Sequence, residues 1–312
     1  MHAMTTVNRS ALHDMLRGTL DPANPLSALR ANPLVWVNIF KYVDQWYLDH
    51  IDTKSIAYSC KLMHDYYVAS RHLLNVENFP KRTVTFPPAT SININMMPFD
   101  PYDKFRTLPK SLQKYNSIIN ICMQDTFPGP PGQRIAYLTI QEGHVRVGES
   151  QRRSGLHIER PGAIIDSSGE KDKPWMTRTF GDGYFADVPI DGIFMASTIA
   201  NSCKVWPALI TNPEEVTDLH GGIEPLRDYL DEGYALAANE LCWITDRTPH
   251  ESLPLHAPPD DPMATHVYRQ FFRLVVGPLS VWYSKLNTPN PLGILPNAPI
   301  SDADKFVSQS LP

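Results

Sequence analysis

A histidine and a glutamate stand two residues apart in the stretch SGLHIERPG, which begins at residue 154. Between its Ser-Gly start and its Pro-Gly end, this stretch has the pattern of a short β-strand, and successive side chains on a strand alternate between two faces. His157 and Glu159 therefore share one face, and Leu156 and Ile158 share the other. An imidazole and a carboxylate on one face are ligands that divalent metals accept in proteins.

Two interpretations of this pair are open from the sequence. In the first, His157 and Glu159 face solvent on a half-buried strand whose apolar face is formed by Leu156 and Ile158. In the second, the pair binds a metal ion and needs a third ligand from a distant part of the chain. The second interpretation predicts another histidine on a strand that returns to the same place.

His250 is the candidate for that third ligand. It begins a predicted strand in the segment NELCWITDRTPHESLPL, directly after a predicted turn. Two histidines and one carboxylate would fill three sites of an octahedral iron and leave three adjacent sites open, which suits oxygen chemistry. We expect the competing histidines to be surface or loop residues; they are His144, His220, His256 and His266.

Two arginines occur in the later segment HVYRQFFRLVVG. Arg269, Phe271 and Arg273 alternate along a predicted strand and so share one face. The two arginines either line a cavity or cover an exposed surface. In a cavity, a guanidinium can bind a carboxylate through two parallel hydrogen bonds, which lysine cannot do equally well.

The order of SGLHIERPG, NELCWITDRTPHES and RQFFRLVVG resembles the core of the non-haem Fe(II)/2-oxoglutarate-dependent oxygenases, over roughly residues 135–285. In that family an H-x-D/E pair follows the first strand of a double-stranded β-helix, a distal histidine begins the seventh strand, and an arginine on the eighth binds the far carboxylate of 2-oxoglutarate. The resemblance implies His157, Glu159 and His250 as the catalytic iron ligands. It implies Arg273 as the first choice for the co-substrate and Arg269 as the second.

Two features depart from the family pattern. Glutamate replaces the commoner aspartate, and the interval from His250 to either arginine is longer than usual, which leaves the choice of arginine open. The implied reaction is the oxidation of a C–H bond of a small molecule by O2, with release of succinate and CO2. The substrate would be an amino acid or a secondary metabolite, and hydroxylation, desaturation or ring closure would follow, as in similar fungal biosynthetic oxygenases.

Two other classes of function are compatible with the same residues. A cupin-like metal-dependent isomerase or dioxygenase would use the three metal ligands without 2-oxoglutarate, and a jelly-roll binding protein would use the pocket only to hold a ligand. Arg160 and Arg178 are candidate substrate-binding residues near the pocket mouth. They would suit a substrate that carries a carboxylate, although both could equally be solvated loop arginines.

The rest of the chain supplies the elements that must position these residues. Helical spacing of apolar residues between about residues 25 and 75, and again in LPKSLQKYNSIINICMQ, predicts helices, and later segments rich in β-branched and aromatic residues predict strands. This order predicts an α+β fold with a sandwich or barrel, which the resemblance narrows to a double-stranded β-helix (jelly-roll or cupin-like) core. We predict a helical region at 1–110 that buttresses the core, the core at 111–290 with a helical insert near 212–233, and a proline-rich tail at 291–312.

The composition narrows the classes of partner. The chain has 312 residues, 42% of them hydrophobic, which is enough for a sizeable core. Its formal net charge of −5 gives no general reason for binding nucleic acid, so we expect a small-molecule substrate.

The four separated cysteines form no zinc or disulfide pattern, and no signal peptide or membrane-spanning run occurs, so we expect a cytoplasmic protein. The sequence does not indicate the oligomeric state.

Overall fold

The computed structural model describes residues 72–76, 79–124, 135–160, 179–185, 189–218 and 220–302. The helices predicted between residues 25 and 75 lie almost wholly outside these ranges, and Arg178 and the end of the predicted tail lie outside them too. The chain divides into two compact units. One comprises residues 1–74 and 225–231, and the other, which carries the residues discussed below, comprises residues 75–224 and 232–312.

Within the described ranges the protein is a mixed α/β fold with mostly antiparallel strands and few, short helices. The strands are β1 (Leu73–Asn75), β2 (Lys81–Thr83), β3 (Asn93–Phe99), β4 (Ala136–Arg146), β5 (Tyr184–Phe185), β6 (Pro189–Ile190), β7 (Gly192–Ser197), β8 (Cys203–Val205), β9 (Ala208–Ile210), β10 (Tyr234–Ala235), β11 (Glu240–Ile244), β12 (His250–Ser252), β13 (His266–Val276), β14 (Trp282–Tyr283) and β15 (Ile300–Ser301). The α-helices are α1 (Lys104–Thr107), α2 (Asn116–Gln124) and α3 (Pro213–Val216), and 3-10 helices occur at Lys110–Tyr115 and Glu224–Tyr229. None of these helices combines the length and the apolar character needed to cross a membrane.

The largest sheet has six strands in the order β2-β11-β7-β13-β4-β3, all paired antiparallel. Its strand β13 pairs with β4 over its whole length and with β7 from Phe271 onward. A smaller antiparallel sheet has the order β10-β8-β12. Arg273 lies where β13 is paired on both sides and Arg269 where it is paired with β4, and the alternation of the strand places both side chains on one face.

Two strands of the six-stranded sheet come from the region predicted to be helical, residues 1–110. They are β2, which pairs with β11, and β3, which pairs with β4. The prolines of this region disfavour a helix, and its short extended segments form strands by pairing with β4 and β11, which are distant in the chain. The sheet-forming part of the protein therefore begins before residue 111.

The helical insert predicted near 212–233 is not one helix. It consists of the short helix α3 and the 3-10 helix at Glu224–Tyr229, with a turn between them. In that turn Oδ1 of Asp218 accepts hydrogen bonds from the backbone N–H groups of His220 (2.8 Å) and Gly222 (2.7 Å). An aspartate that bonds to nearby backbone in this way competes with helix formation, so His220 lies in a turn and not in a helix.

The start of β7 offers a test of how tightly the sheet is packed. Gly192 has a φ of 96°, and a β-carbon there would clash with Nε1 of the buried Trp243. Gly148 has a φ of 87°, but a β-carbon there would meet nothing within 4 Å. Both substitutions to alanine carry the cost of left-handed backbone, roughly 1–2 kcal/mol, so Gly192→Ala should lower the free energy of unfolding by about 1–3 kcal/mol more than Gly148→Ala. Urea unfolding of both variants measures the difference, and equal losses would contradict this packing.

Candidate metal centre

Two histidines from distant parts of the chain are held side by side by their own backbones. The N–H of His157 donates to the carbonyl oxygen of His250 (3.0 Å), and the N–H of His250 donates to that of His157 (2.9 Å). Such a reciprocal pair is one rung of an antiparallel ladder, and β12, which contains His250, is paired in turn with β8. The centroids of the two imidazole rings are consequently 4.5 Å apart.

The segment around His157 is buried and bonded to backbone on both sides. Leu156 and Ile158 are buried, and the N–H of Ile158 donates to the carbonyl oxygen of Gly221 (2.9 Å). His157 is itself only 6% exposed. The interpretation in which His157 faces solvent is therefore wrong, although the segment makes single bridges and not a regular strand.

His157, Glu159 and His250 form a cluster that could hold a metal ion, because one ligand atom from each lies within 4.8 Å of the others. Nδ1 of His157 lies 2.7 Å from the carbonyl oxygen of Gly155, and Nδ1 of His250 lies 2.9 Å from that of Thr248. A carbonyl oxygen only accepts, so each Nδ1 carries the hydrogen and each Nε2 keeps a free lone pair. Partners of this kind fix the tautomer and the ring orientation of metal-binding histidines.

The carboxylate of the cluster is held by an arginine of β13. Nη1 of Arg273 donates to Oε1 of Glu159 at 2.8 Å, and the side chains are 8% and 18% exposed. A carboxylate offers about four lone-pair positions, so this bond leaves room for a metal. Arg273 therefore lies at the metal end of the cavity and orients Glu159.

Burial keeps both imidazoles neutral. Desolvation, with a further contribution from the neighbouring His250, lowers the pKa of His157 to about 3. Desolvation also lowers the pKa of His250 below its ordinary value. Since a metal binds the neutral imidazole, the site requires no loss of a proton from either histidine near pH 7.

The cluster opens into a cavity of about 350 Å³. This volume lies at the lower end of the roughly 300–1,000 Å³ that is typical of small-molecule sites. The described lining contains the three clustered residues, four arginines and an apolar wall. The arginines are Arg152, Arg153, Arg269 and Arg273, and the apolar wall includes Phe180, Phe271, Val281, Tyr283 and Leu286.

Four polar atoms of the cavity lining are buried and have no hydrogen-bond partner among the residues that the structure describes. They are Oε1 of Gln151, Oγ of Ser252, Nη1 of Arg269 and Nε of Arg273. Buried polar groups are nearly always hydrogen-bonded, and each unsatisfied one costs about 1–3 kcal/mol. Their concentration around one cavity is what a site for a polar ligand requires.

One wall of the cavity contains strained backbone that the sequence did not indicate. Met96 has a φ of 48° at a β-bulge in β3 and lines the cavity. Its N–H donates to Oγ1 of Thr139 (3.0 Å), and its carbonyl oxygen accepts from Nε1 of Trp282 (2.8 Å). Bulges and residues with positive φ cluster at binding sites, where the surrounding structure holds them.

The structure does not bring every predicted residue to the cavity. Nη1 of Arg160 lies 3.7 Å from Oδ1 of Asp182 and 3.9 Å from Oδ2 of Asp246, and Arg160 is not among the described lining residues. Arg178 lies outside the described residues. Of the competing histidines, His220 lines the cavity and the other three do not.

The arginines of the cavity mouth that sequence reasoning missed are Arg152 and Arg153. They stand directly before SGLHIERPG in the segment ESQRRSGLH, and a paired arginine so close to a candidate ligand was a usable signal. Their approach to Arg269 and Arg273, more than a hundred residues later, depends on the pairing of β4 with β13.

Comparisons with known proteins return no match: no protein-family model, no curated protein and no solved structure resembles the chain. The chemistry of this centre is therefore inferred from its own side chains. They offer two neutral imidazoles, one carboxylate and a cavity rich in arginine.

The low pKa of His157 predicts how the stability of the metal-free protein depends on pH. Below about pH 6.5 the unfolded chain protonates this histidine while the folded chain does not, so the free energy of unfolding should fall as the pH falls. One such histidine contributes a slope of up to about 1.4 kcal/mol per pH unit. Urea unfolding at pH 7, 6 and 5 should give a shallower slope for His157→Gln than for the wild type, with His144→Gln as the control. An unchanged slope in His157→Gln would show that the imidazole is not buried in its neutral form.

Proposed function

We propose that the protein is a non-haem Fe(II)/2-oxoglutarate-dependent oxygenase that oxidises a C–H bond of a small molecule. One observation carries the proposal. The ligand atoms of His157, Glu159 and His250 lie within 4.8 Å of one another, and they open into a cavity whose wall also carries Arg269 and Arg273.

The donor set favours iron. Two imidazoles and one carboxylate are the ligands of mononuclear Fe(II) oxygenases and leave adjacent sites for a co-substrate and dioxygen, whereas structural zinc takes four ligands and often cysteine. Among the described residues, no fourth histidine, cysteine, aspartate or glutamate joins the cluster. The thiol of Cys203, which lines the cavity, has its pKa raised to about 12 by burial and so stays protonated.

The strand pairing supports a jelly-roll core. Eight segments in chain order are β4, the His157 segment, β7, β8, β10, β11, β12 and β13. The first pairs with the eighth, the second with the seventh, the third with the sixth and the fourth with the fifth. This nested pairing is what results when one long hairpin is rolled into two facing sheets, the arrangement of a jelly roll.

We assign the co-substrate to Arg269 and not to Arg273, which reverses the order that the family resemblance implied. Arg273 is already bonded to the carboxylate of Glu159. Arg269 stands four residues earlier on the same face of β13, about 13 Å away along the strand, and is 1% exposed. Its Nε donates to Oγ of Ser197 at 2.9 Å, while its buried Nη1 has no hydrogen-bond partner within the described part of the chain. A carboxylate at the far end of a chelated 2-oxoglutarate would supply that partner.

Bound iron and 2-oxoglutarate would supply the reduction of O2, with one oxygen atom passing to succinate, the other to the hydroxylated substrate, and one carbon lost as CO2. The side chains supply the geometry. The carbonyl oxygens of Gly155 and Thr248 orient the two imidazoles, and Arg273 orients Glu159. The apolar wall of the cavity limits the entry of water, which strengthens every charge interaction within it.

The first test is an anaerobic titration of the metal-free protein with Fe(II) and then with 2-oxoglutarate. We expect the weak visible charge-transfer band of the chelate in the wild type, and its loss in His157→Ala because a metal ligand is removed. His144→Ala, outside the cluster, should keep the band. A folded wild type that binds Fe(II) but gives no band would refute the use of 2-oxoglutarate and favour the cupin-like alternative, and a protein that binds no metal would favour the binding-protein alternative.

Substitutions of Arg269 and Arg273 should weaken the binding of different ligands. Arg269→Met should raise the Kd for 2-oxoglutarate about 10–100-fold, the value of a charged hydrogen bond in a dry site. Arg273→Met should instead weaken metal binding by a comparable factor, because it frees the carboxylate of Glu159. Calorimetric titrations with Mn(II), and then with 2-oxoglutarate, separate the two constants, and cooperative unfolding shows that each variant is folded. Weaker 2-oxoglutarate binding in Arg273→Met, with weaker metal binding in Arg269→Met, would indicate that Arg273 binds the co-substrate.

A further inference from the structure

Four arginines and a single carboxylate face the cavity among its described lining residues. The carboxylate, Glu159, bonds to Arg273 and also interacts electrostatically with Arg152, while Asp218, outside the described lining, interacts with Arg153, so the four arginines still outnumber the acids near them. Removing a charge from water is costly unless an opposite charge compensates it. The cavity is therefore suited to anions, and to more than one of them.

Fe(II) and 2-oxoglutarate would not compensate the excess positive charge of the cavity arginines. Fe(II) and 2-oxoglutarate together would carry no net charge, so they would leave the excess of positive charge unchanged even with one carboxylate of the co-substrate bound to Arg269. Arg152, which shares the charge of Glu159 with Arg273, and Arg153 are then the cations available for a further negative group. Because neither belongs to the metal cluster, that group need not be bound to the metal.

Arg152 is placed to bind such a group. Its Nη1 donates to a neutral acceptor, Oε1 of Gln141, at 3.3 Å. Its guanidinium carbon lies 5.4 Å from the ring centre of Phe271, and that of Arg269 lies 5.0 Å from the same centre. An arginine has five N–H donors in a planar fork, so the bond to Gln141 leaves most of them for a carboxylate.

Arg153 lies nearer the solvent. Its side chain is exposed, and its Nη1 donates to the carbonyl oxygen of His220, which also lines the cavity. The next arginine inward in the lining is Arg152. A cationic residue at a mouth raises the local concentration of anionic ligands and speeds their entry.

Part of the lining of the same cavity is apolar. It includes Phe180, Val281, Tyr283 and Leu286. An apolar wall favours a ligand with an apolar or aromatic body, since its burial releases water from both surfaces. The arginines and the apolar lining together indicate a ligand with a negatively charged group and an apolar body.

We infer that the primary substrate is an organic acid with an apolar or aromatic body, whose carboxylate binds Arg152 after entry past Arg153. That this ligand is a substrate rests on the proposed oxygenase function, whereas the anion site itself rests only on the cavity. The proposed substrate-binding arginines are thus Arg152 and Arg153; Arg160 is not among the described lining residues, and Arg178 lies outside the described residues.

The test compares acids with their neutral amides. The full chain is saturated with Mn(II) and 2-oxoglutarate, and its Tm is followed during titration with benzoic, phenylacetic, cinnamic and hexanoic acids and with the four primary amides. We expect at least one acid to raise the Tm and its amide to have no effect. Arg152→Gln should bind that acid at least tenfold more weakly, and Arg152→Lys should lose less because it keeps the charge. Arg146→Gln is the matched control, since Arg146 is exposed on β4 and lies 3.6 Å from Glu149.

Three outcomes would overturn the inference. They are a panel in which no acid raises the Tm, amides that bind as well as acids, and an Arg152→Gln variant that binds acids as tightly as the wild type. If Arg152→Gln binds acids as tightly as the wild type but loses affinity for 2-oxoglutarate, Arg152 belongs to the co-substrate site and not to a substrate site. If Mn(II) and 2-oxoglutarate fail to bind, the same titrations on the metal-free protein separate the two proposals: acid binding that depends on Arg152 would support the anion site while the oxygenase proposal fails.

Discussion

The candidate site depends on one short piece of backbone pairing, in which His157 and His250 exchange both of their main-chain hydrogen bonds. This rung fixes the distance between the two imidazoles, and the carbonyl oxygens of Gly155 and Thr248 then fix the direction of each ring. It is supported on both sides, by the pairing of β12 with β8 and by the bond from Ile158 to Gly221. Backbone pairing of this kind places the candidate ligands without a bound ion, which is the preorganisation that a metal site requires.

Desolvation determines which side chains around the paired backbones of His157 and His250 carry a charge and which charges need a partner. It keeps the imidazoles neutral, and it makes the guanidinium groups of Arg152, Arg269 and Arg273 costly to bury unless partners compensate them. The bond between Arg273 and Glu159 meets that need for one arginine, and the ring of Phe271 lies close to two others. The buried donors of Arg269 and Arg273 without partners are the part of the charge balance that a bound anion would complete.

The scaffold beneath the site is held by a second buried carboxylate. Glu142 of β4 accepts hydrogen bonds from the N–H groups of Thr90 (2.6 Å) and Ile92 (2.9 Å) and from the hydroxyl of Tyr115 (2.7 Å). Burial alone would raise the pKa of Glu142, but these bonds outweigh it and hold the pKa below its ordinary value. The network ties the segment before β3 and the 3-10 helix at Lys110–Tyr115 to β4, which is paired with the arginine-bearing strand β13.

Strand alternation in the amino-acid sequence predicted the candidate ligands and the faces that they share. The period-two alternation of a strand places His157 with Glu159, and Arg269 with Arg273, whatever the rest of the fold does. Which distant segments meet is a property of the tertiary structure, because backbone pairing between residues far apart in the chain leaves no local pattern. For this reason the strand β3 and the bond from Arg273 to Glu159 could not be predicted, whereas the turn at Asp218 has a local cause and Arg152 and Arg153 left a local signal. Local propensity fixes the direction of a side chain, but pairing between distant strands fixes what that side chain faces.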